Sequence, residues 1–260
     1  FDRWKLAISF AKKIFGMFDL CIASNKESEN FLKILGAKNI KNHGNLKFSK
    51  IKTELNNKLD SNFLNKIQNR KIWCGASTHP TEEILCAESH LKIKENYKNI
   101  LTIIIPRHID RVKTIYEELS KLDLKIVLSS NLSQADTNTD IIIVDSYGES
   151  LKFYSISKYV FLGKSLAAAL TKDSGQNPIE PARLGCKIFH GPYVNNFAEI
   201  YKYLNELGIT KKVNNSNELS LSLVEEFKDN KPKNLEIAEK IETYGQNILN
   251  NVSMAIKKYI

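Results

Sequence analysis

The sequence predicts an α/β protein with a Rossmann-like, doubly wound parallel sheet. Beyond residue 70, short runs of β-branched and other apolar residues alternate with longer stretches of helical periodicity. Such alternation is typical of βαβ units, in which successive strands lie parallel in one sheet. Polar clusters directly follow several of the apolar runs. Because ligands bind at the carboxyl ends of the strands in open α/β sheets, we expect function in these clusters.

The amino-terminal residues form a smaller unit in this interpretation. Residues 3–18 carry apolar side chains at helical spacing with lysines between them, which predicts a basic amphipathic helix. Such a helix suits an anionic membrane surface, but a surface helix with its lysines in water has the same pattern. A short strand over 19–23, a helix over 24–35 closed by Gly36, and a strand and turn over 40–48 follow.

A polar stretch over 49–69, rich in Lys and Asn, marks the predicted domain boundary. We therefore divide the chain into residues 1–50 and residues 51–260. Six strands are predicted in the second part, over 71–75, 100–105, 125–128, 140–144, 159–162 and 187–190. Helices are predicted over 81–97, 110–122, a short segment after Gly148, 178–184, 196–207, 218–227 and 234–260.

Composition and charge limit the classes of function. The formal net charge of +9 favours acidic partners, such as anionic lipid, a phosphorylated sugar or nucleic acid. The four cysteines are dispersed without a C-x-x-C pair, so neither a zinc site nor a redox motif is indicated. No apolar run reaches the length of about 20 residues that spans a bilayer. No dinucleotide, triphosphate, metalloprotease or serine-hydrolase motif occurs, and no metal or cofactor is expected.

The most informative stretch is D-S-G-Q-N-P-I-E-P, residues 173–181. Asn177 is a plausible cap for a helix that begins at Pro178, and Glu180 then lies in the first helical turn. A loop that leads into a helix can bind phosphate through its N–H groups, while a nearby carboxylate accepts hydrogen bonds from sugar hydroxyls. The stretch therefore suits a nucleotide-sugar, although an ordinary capped helix after a turn has the same local pattern.

Three further clusters follow predicted strands. G-A-S-T-H, residues 75–79, suits phosphate or carboxylate, and the alternative is a capped helix with Thr78 and Glu82 in box-like roles. P-R-H, residues 106–108, supplies an arginine, which favours the same anions but is also a common surface ion-pair partner. D-S-Y-G-E, residues 145–149, supplies an aromatic ring that can stack on a base or simply pack.

Taken in order, these clusters resemble the 3-deoxy-D-manno-octulosonic acid (Kdo) transferase family of lipopolysaccharide synthesis. The motifs that carry the resemblance are G-N-L-K-F (44–48), G-A-S-T-H (75–79), P-R-H (106–108), V-D-S-Y-G-E (144–149), F-L-G-K-S-L (161–166), N-P-I-E-P-A-R-L-G (177–185) and H-G-P-Y-V-N-N-F (190–197). The resemblance implies a GT-B glycosyltransferase that transfers Kdo from CMP-Kdo to a lipid A precursor, lipid IVA. It also implies inversion at the anomeric centre without a metal or a cofactor, and no nucleic-acid partner. The expected location is the cytoplasmic face of the inner membrane, to which the protein would be bound peripherally or through an anchor.

The resemblance also implies a donor site. Its members would be Ser77, Thr78, Arg107, Tyr147, Gly148, Glu149, Asn177 and Glu180. By that analogy Arg107 and the Ser77-Thr78 loop hold the phosphate or the Kdo carboxylate. Residues 147–149 line the cytidine pocket, Asn177 contacts the donor, and Glu180 binds the ribose hydroxyls.

The sequence departs from the family pattern in places. The family usually has Gly-Gly-His where this chain has Ser174-Gly175-Gln176, and Gly-Gly-Ser where it has Gly163-Lys164-Ser165. The general-base glutamate of the family's amino-terminal domain has no match, so residues 1–50 are expected to be the last part of that domain. The sequence given is then expected to bind the donor but not to catalyse transfer by itself. Alternatives are another GT-B enzyme that uses a UDP-sugar, a non-catalytic sugar-nucleotide-binding module and a basic nucleic-acid binder.

Overall fold

A computed structural model describes residues 1–49, 58–166, 174–229 and 232–259. The chain divides into two compact units, one formed by residues 1–53 with 239–260 and the other by residues 54–238. The sequence predicts a boundary close to this position but assigns the final helix entirely to the second domain, whereas its later part groups with the first unit. That residues 1–50 are the last part of a larger amino-terminal domain stays a prediction. Residues 50–57 of the predicted linker lie outside the described residues.

The first unit contains two short parallel strands and the helices around them. Its elements are α1 (Asp2–Lys5), α2 (Ile8–Phe15), β1 (Cys21–Ala23), α3 (Lys26–Ile34), β2 (Ile40–Asn42) and a 3-10 helix (Leu46–Ser49). The predicted single helix over 3–18 is broken, because Ala7 has the non-helical angles φ −135° and ψ 47°. Leu6, Phe10 and Met17 are exposed on this part of the chain. None of the described helices combines the length and the apolar content that a bilayer-spanning helix needs.

Seven strands of the second unit form one parallel sheet within the described residues, in the order β5-β6-β4-β3-β7-β8-β9. The strands are β3 (Lys71–Thr78), β4 (Ile100–Pro106), β5 (Ile126–Leu128), β6 (Ile141–Ile143), β7 (Tyr159–Leu162), β8 (Lys187–His190) and β9 (Thr210–Lys212). The helices are α4 (Ser61–Ile67), α5 (Glu82–Asn96), α6 (Val112–Leu119), α7 (Ser150–Ile156), α8 (Ile179–Arg183), α9 (Ala198–Glu206), α10 (Ser216–Asp229) and α11 (Leu235–Ile256), which continues into the first unit.

The predicted parallel α/β sheet is confirmed, and all six predicted strands are present. Strand β9 was missed because its sequence, T-K-K, contains no apolar residue; it pairs with β8 at the edge of the sheet. Strand β3 continues three residues past its predicted end. Its register against β4 shifts between Ala76 and Thr78, where Ser77 has a φ of 53°. The three added residues, Ala76, Ser77 and Thr78, are small or polar, so the sequence does not indicate that the strand continues through them.

The core fills both faces of the sheet. All seven residues of β4 are buried, as expected for a central parallel strand. Trp73, Ile104 and Phe161 pack on the face covered by α5, α6 and α10. Cys74, Cys86 and Cys186 are buried free thiols. A rigid sheet packed on both sides fixes the loops at its two edges.

A buried polar network lies near the amino-terminal ends of the strands. His90 Nδ1 lies 2.9 Å from the Thr102 hydroxyl, and His90 Nε2 lies 3.2 Å from Asp140 Oδ1. Lys94 Nζ also donates to Asp140 Oδ1, at 2.5 Å. Burial lowers the pKa of His90, although Asp140 opposes this shift. Burial opposes ionisation of Asp140, but hydrogen bonds from His90 and Lys94 keep its pKa below the ordinary value.

The network predicts that the protein loses stability in weak acid. A histidine with a lowered native pKa binds its proton more readily when unfolded, so its contribution to stability is present above pH of about 6.5 and is lost as the pH falls below it. The free energy of unfolding should therefore fall between pH 7.5 and pH 5.5, measured by urea denaturation. His90→Gln should flatten this dependence, whereas His108→Gln, at an exposed position, should not. If the free energy of unfolding depended on pH in the His90 variant as it does in the wild type, His90 would not be a cause of the loss of stability.

Candidate functional site

The loops after β3 and β4 meet at the carboxyl edge of the sheet. The two strands are neighbours and run parallel, so their ends lie side by side. The Arg107 N–H donates to the Thr78 carbonyl oxygen at 3.0 Å. The rings of His79 and His108 contact each other edge to face, with centroids 5.8 Å apart. The structure thus brings the predicted residues Ser77, Thr78 and Arg107 together and adds two imidazoles.

The buried carboxylate of Glu82 joins these loops to the loop after β7. Its side-chain oxygens accept four backbone hydrogen bonds. Oε2 accepts from His79 N at 2.9 Å and from Lys164 N at 2.7 Å. Oε1 accepts from Ser165 N at 3.0 Å and from Leu166 N at 3.3 Å. Burial raises the pKa of Glu82, and the four N–H donors oppose this rise because they favour the ionised form. The alternative sequence interpretation, a local capping role for Glu82, accounts for only the bond to His79.

The backbone around Glu82 is tightly packed. A Cβ atom on Gly163 would lie 2.5 Å from Glu82 Oε2 and 2.7 Å from the Ser77 carbonyl oxygen, so only glycine fits there. Ser77 and Lys164 both adopt left-handed backbone conformations, with φ values of 53° and 55°. Such a conformation costs a residue with a side chain about 1–2 kcal/mol. The hydrogen bonds to Glu82 hold Lys164 in this conformation.

The stretch that follows residue 173 contacts the same loops. Gly175 N donates to the Lys164 carbonyl oxygen at 2.6 Å. Gln176 Nε2 lies 3.4 Å from His79 Nε2, and the Tyr201 hydroxyl donates to the Gln176 carbonyl oxygen at 3.1 Å. Because an amide nitrogen only donates, His79 Nε2 accepts here, which fits a neutral imidazole. Asp173, the first residue of the predicted stretch, lies outside the described residues.

The predicted helix after Asn177 is present. It begins at Ile179, one residue later than predicted, and Asn177 Oδ1 accepts a hydrogen bond from Ile179 N at 3.2 Å. Glu180 lies in the first turn and is half-buried. Burial raises the pKa of the Tyr154 phenol on α7, and the negative charges nearby, that of Glu180 among them, add to this effect. Helix α8 itself contacts α7.

Positive charge converges on His79. Burial is the main cause that lowers the pKa of His79 to about 4, and Lys164, His108, Arg111 and Arg107 lower it further. Arg111 forms a bidentate ion pair with Glu83, in which Nη1 donates to Oε1 at 2.9 Å and Nη2 donates to Oε2 at 3.2 Å. Arg107 is exposed, and its guanidinium group forms no hydrogen bond or ion pair with another described residue. An anion bound beside His79 would relieve this repulsion.

The remaining predicted site residues are less closely connected. Tyr147 is 65% exposed, and Glu149 pairs with Lys152 at 2.7 Å on the neighbouring turn. With Gly148 they follow β6, the strand beside β4, so they lie at the same edge of the sheet. Within the described parts of the chain, no hydrogen bond joins these three residues to the loops after β3 and β4. Thr78 is fully buried, and its Oγ1 has no hydrogen-bond partner among the described residues, so its side chain is not presented to solvent.

A cavity of about 610 Å³ lies at the opposite edge, around the amino-terminal ends of β3, β4 and β7. Arg70 and Lys71 line it, but both already bind protein groups. The Arg70 guanidinium donates to the carbonyl oxygens of Asn99, Asp136 and Ile100. Lys71 Nζ donates to the Phe227 carbonyl oxygen at 3.0 Å. The described residues include no group of three or more His, Cys, Asp and Glu side chains placed to hold a metal ion.

Comparison with known proteins adds sequence relationships to this geometry. No family profile matches the chain. A 3-deoxy-D-manno-octulosonic acid transferase from Haemophilus influenzae is 33% identical over 174 residues, which cover 66% of this chain and 40% of that protein. The enzyme of the same name from Rickettsia prowazekii is 27% identical over 260 residues, which cover 100% of this chain and 54% of that protein. The chain belongs to the Kdo transferase family. It spans about half the length of the curated relatives it matches.

Solved structures confirm the fold that this Kdo transferase relationship implies. The C-terminal CMP-Kdo binding domain of WaaA from Acinetobacter baumannii aligns with a TM-score of 0.58 and 22% identity, covering 73% of this chain and 95% of that one. A UDP-N-acetylglucosamine 2-epimerase from Listeria monocytogenes aligns with a TM-score of 0.58 and 16% identity, covering 94% of this chain and 60% of that one. The predicted fold class, a Rossmann-like parallel sheet of the GT-B kind, is confirmed.

The role of the Glu82 carboxylate predicts the effect of removing its charge. Glu82→Gln would turn an amide N–H₂ toward buried N–H groups, so we expect it to lower the free energy of unfolding by about 3 kcal/mol. Chemical denaturation at pH 7.5 measures this change. Glu95→Gln, at an exposed position on the same helix, should change it by less than about 0.5 kcal/mol. Equal stabilities for both variants would show that Glu82 does not hold the loops together.

The left-handed backbone at residue 164 predicts a stabilising substitution. Lys164→Gly removes the Cβ that makes this conformation costly, so we expect it to raise the free energy of unfolding by about 1 kcal/mol. Lys164→Met keeps a Cβ of the same kind and should not give this gain. Thermal unfolding of the two variants side by side measures the difference. A Gly variant no more stable than the Met variant would contradict the strained conformation.

Proposed function

We propose that this chain supplies the donor-binding part of a Kdo transferase, an enzyme that transfers Kdo from CMP-Kdo to a lipid A precursor. What supports the proposal most directly is that the loops carrying His79, Arg107 and Lys164 meet at the carboxyl edge of a GT-B type sheet, joined by the bond from Arg107 N to the Thr78 carbonyl oxygen and by the bonds of His79 N and Lys164 N to Glu82. CMP-Kdo carries a phosphodiester and a carboxylate, so it has two negatively charged groups. A site with unneutralised positive charge suits such a ligand.

In this proposal Arg107 binds the phosphate or the Kdo carboxylate. Its guanidinium is exposed at the mouth of the site, and its backbone is fixed by the bond to Thr78. When the glycosidic bond breaks, the leaving cytidylate gains negative charge on its phosphate oxygen. Fixed cations beside that oxygen stabilise the charge as it develops, without a metal ion. Inversion at the anomeric carbon would follow from attack by the acceptor hydroxyl on the opposite face.

The nucleoside would extend from this anion site toward the loops on either side. We assign the cytosine ring to the surface around Tyr147, Gly148 and Glu149, where the exposed tyrosine offers a stacking face. Glu180 is assigned to the ribose hydroxyls, because its carboxylate lies in the first turn of α8. Asn177 fixes the start of that helix and would contact the donor through its amide N–H₂.

The acceptor proposed is a phosphorylated lipid, so we also propose work at the cytoplasmic surface of the inner membrane. The net charge of +9 favours association with an anionic bilayer surface. The exposed apolar residues Leu6, Phe10 and Met17 lie among lysines, a pattern that suits the interface between headgroups and acyl chains.

Isothermal titration with CMP tests the donor assignment. The wild-type chain should bind CMP, and Arg107→Ala and Glu180→Ala should each lower the affinity roughly tenfold, since each removes a charged hydrogen-bonding group. Lys121→Ala, at an exposed position away from the site, should bind as the wild type does. Unchanged affinity in both site variants would remove the assigned site.

Competition with UDP separates the proposal from its closest rival. An enzyme that uses a UDP-sugar has the same type of fold, as the epimerase from Listeria monocytogenes illustrates. If UDP displaced CMP and bound at least tenfold more tightly, the donor would be a UDP-sugar and the Kdo assignment would be wrong.

A further inference from the structure

Lys164 is a lysine at a position where glycine would fit without strain. Its φ of 55° is left-handed, and its N–H is bound by Glu82 Oε2 at 2.7 Å, which fixes this conformation. Backbone strain that is maintained by the surrounding contacts is characteristic of functional sites. The side chain of Lys164 therefore needs an explanation other than local backbone preference.

The position of Lys164 places it directly beside His79. The backbone N–H groups of the two residues donate to the same oxygen atom, Glu82 Oε2, at 2.7 and 2.9 Å. Among the charged groups that lower the pKa of His79, Lys164 has the largest effect. The carbonyl oxygen of Lys164 accepts the N–H of Gly175, so the stretch before Asn177 is fixed to the same residue. Lys164 is thus linked to the loop after β3 through Glu82 and to the loop that precedes α8 through Gly175.

The ammonium group of Lys164 lacks a carboxylate partner within the described parts of the chain. Of the two arginines near His79, Arg111 is paired with Glu83, whereas Arg107, like Lys164, has no ion-pair partner among the described residues. The carboxylate of Glu82, which binds the Lys164 backbone N–H, already accepts hydrogen bonds from four N–H donors. Lys164 is half-buried, so solvent compensates its charge only in part. A ligand anion would provide the missing partner.

We propose that Lys164 is a further donor-binding residue, whose ammonium group binds an anionic group of the nucleotide-sugar beside Arg107. This inference rests on the proposed function and adds a second cationic contact to the donor site. Lysine serves as a point charge, so it suits a phosphate or a carboxylate approached from one side. Lys164 and Arg107 would then hold the donor from two adjacent loops.

Binding of three probes to matched variants tests the inference. CMP carries only the phosphate, free Kdo carries only the carboxylate, and cytidine carries neither. Lys164→Met and Lys164→Gly should both lower the affinity for CMP or for Kdo roughly tenfold, and the probe affected identifies the anionic group. The affinity for cytidine should not change, and Lys121→Met should leave all three affinities at their wild-type values. The Gly variant serves as a folding control, because it is expected to be at least as stable as the wild type.

The outcomes separate this inference from the proposed function. If Arg107→Ala weakened CMP binding while both Lys164 variants bound CMP and Kdo as the wild type does, the role of Lys164 would be overturned and the donor site would stand. If the wild type bound neither CMP nor Kdo, both would be overturned. A loss of cytidine affinity equal to the loss of CMP affinity would also overturn the inference, because a general disturbance of the site would explain it. Histidine NMR supplies a further check, since the pKa of His79 should rise in Lys164→Met.

Discussion

The described site depends on one interaction, the binding of four backbone N–H groups by the buried carboxylate of Glu82. These groups belong to loops that follow two neighbouring strands, β3 and β7. Without an internal anion, four converging N–H donors would themselves form an anion site. Glu82 occupies that position, so a ligand must be bound by the side chains around it. The carboxylate therefore shapes the site and is not itself presented to the ligand.

This arrangement explains how like charges can be held together. The sheet is packed on both faces, and parallel pairing fixes where each loop leaves it. The packing and hydrogen bonds around these loops hold the strained conformations of Ser77 and Lys164 and the repelling charges around His79 in place. A pre-arranged cationic site needs little rearrangement when an anion arrives, which favours both tight binding and stabilisation of a leaving phosphate.

The sequence predicted what depends on local patterns and missed what depends on long-range contacts. β-branched runs identified six strands, because a central parallel strand is buried on both faces and must be apolar. Strand β9 was missed because it is an edge strand made of polar residues. Glu82 was interpreted as a local cap, since nothing in the sequence relates it to Lys164, 82 positions away. His79 and Lys164 were visible in the motifs, but only the fold brings them together.

The central claim is that a cytidylate ligand binds beside His79 at the carboxyl edge of the sheet. The most direct measurement is histidine NMR during a titration with CMP, since the chain has five histidines and they are spread over the fold. The account predicts that the His79 and His108 signals shift in proportion to bound CMP, that the pKa of His79 rises, and that the signals of His43 and the buried His90 stay in place. Saturable binding of CMP that leaves His79 and His108 unshifted would contradict it.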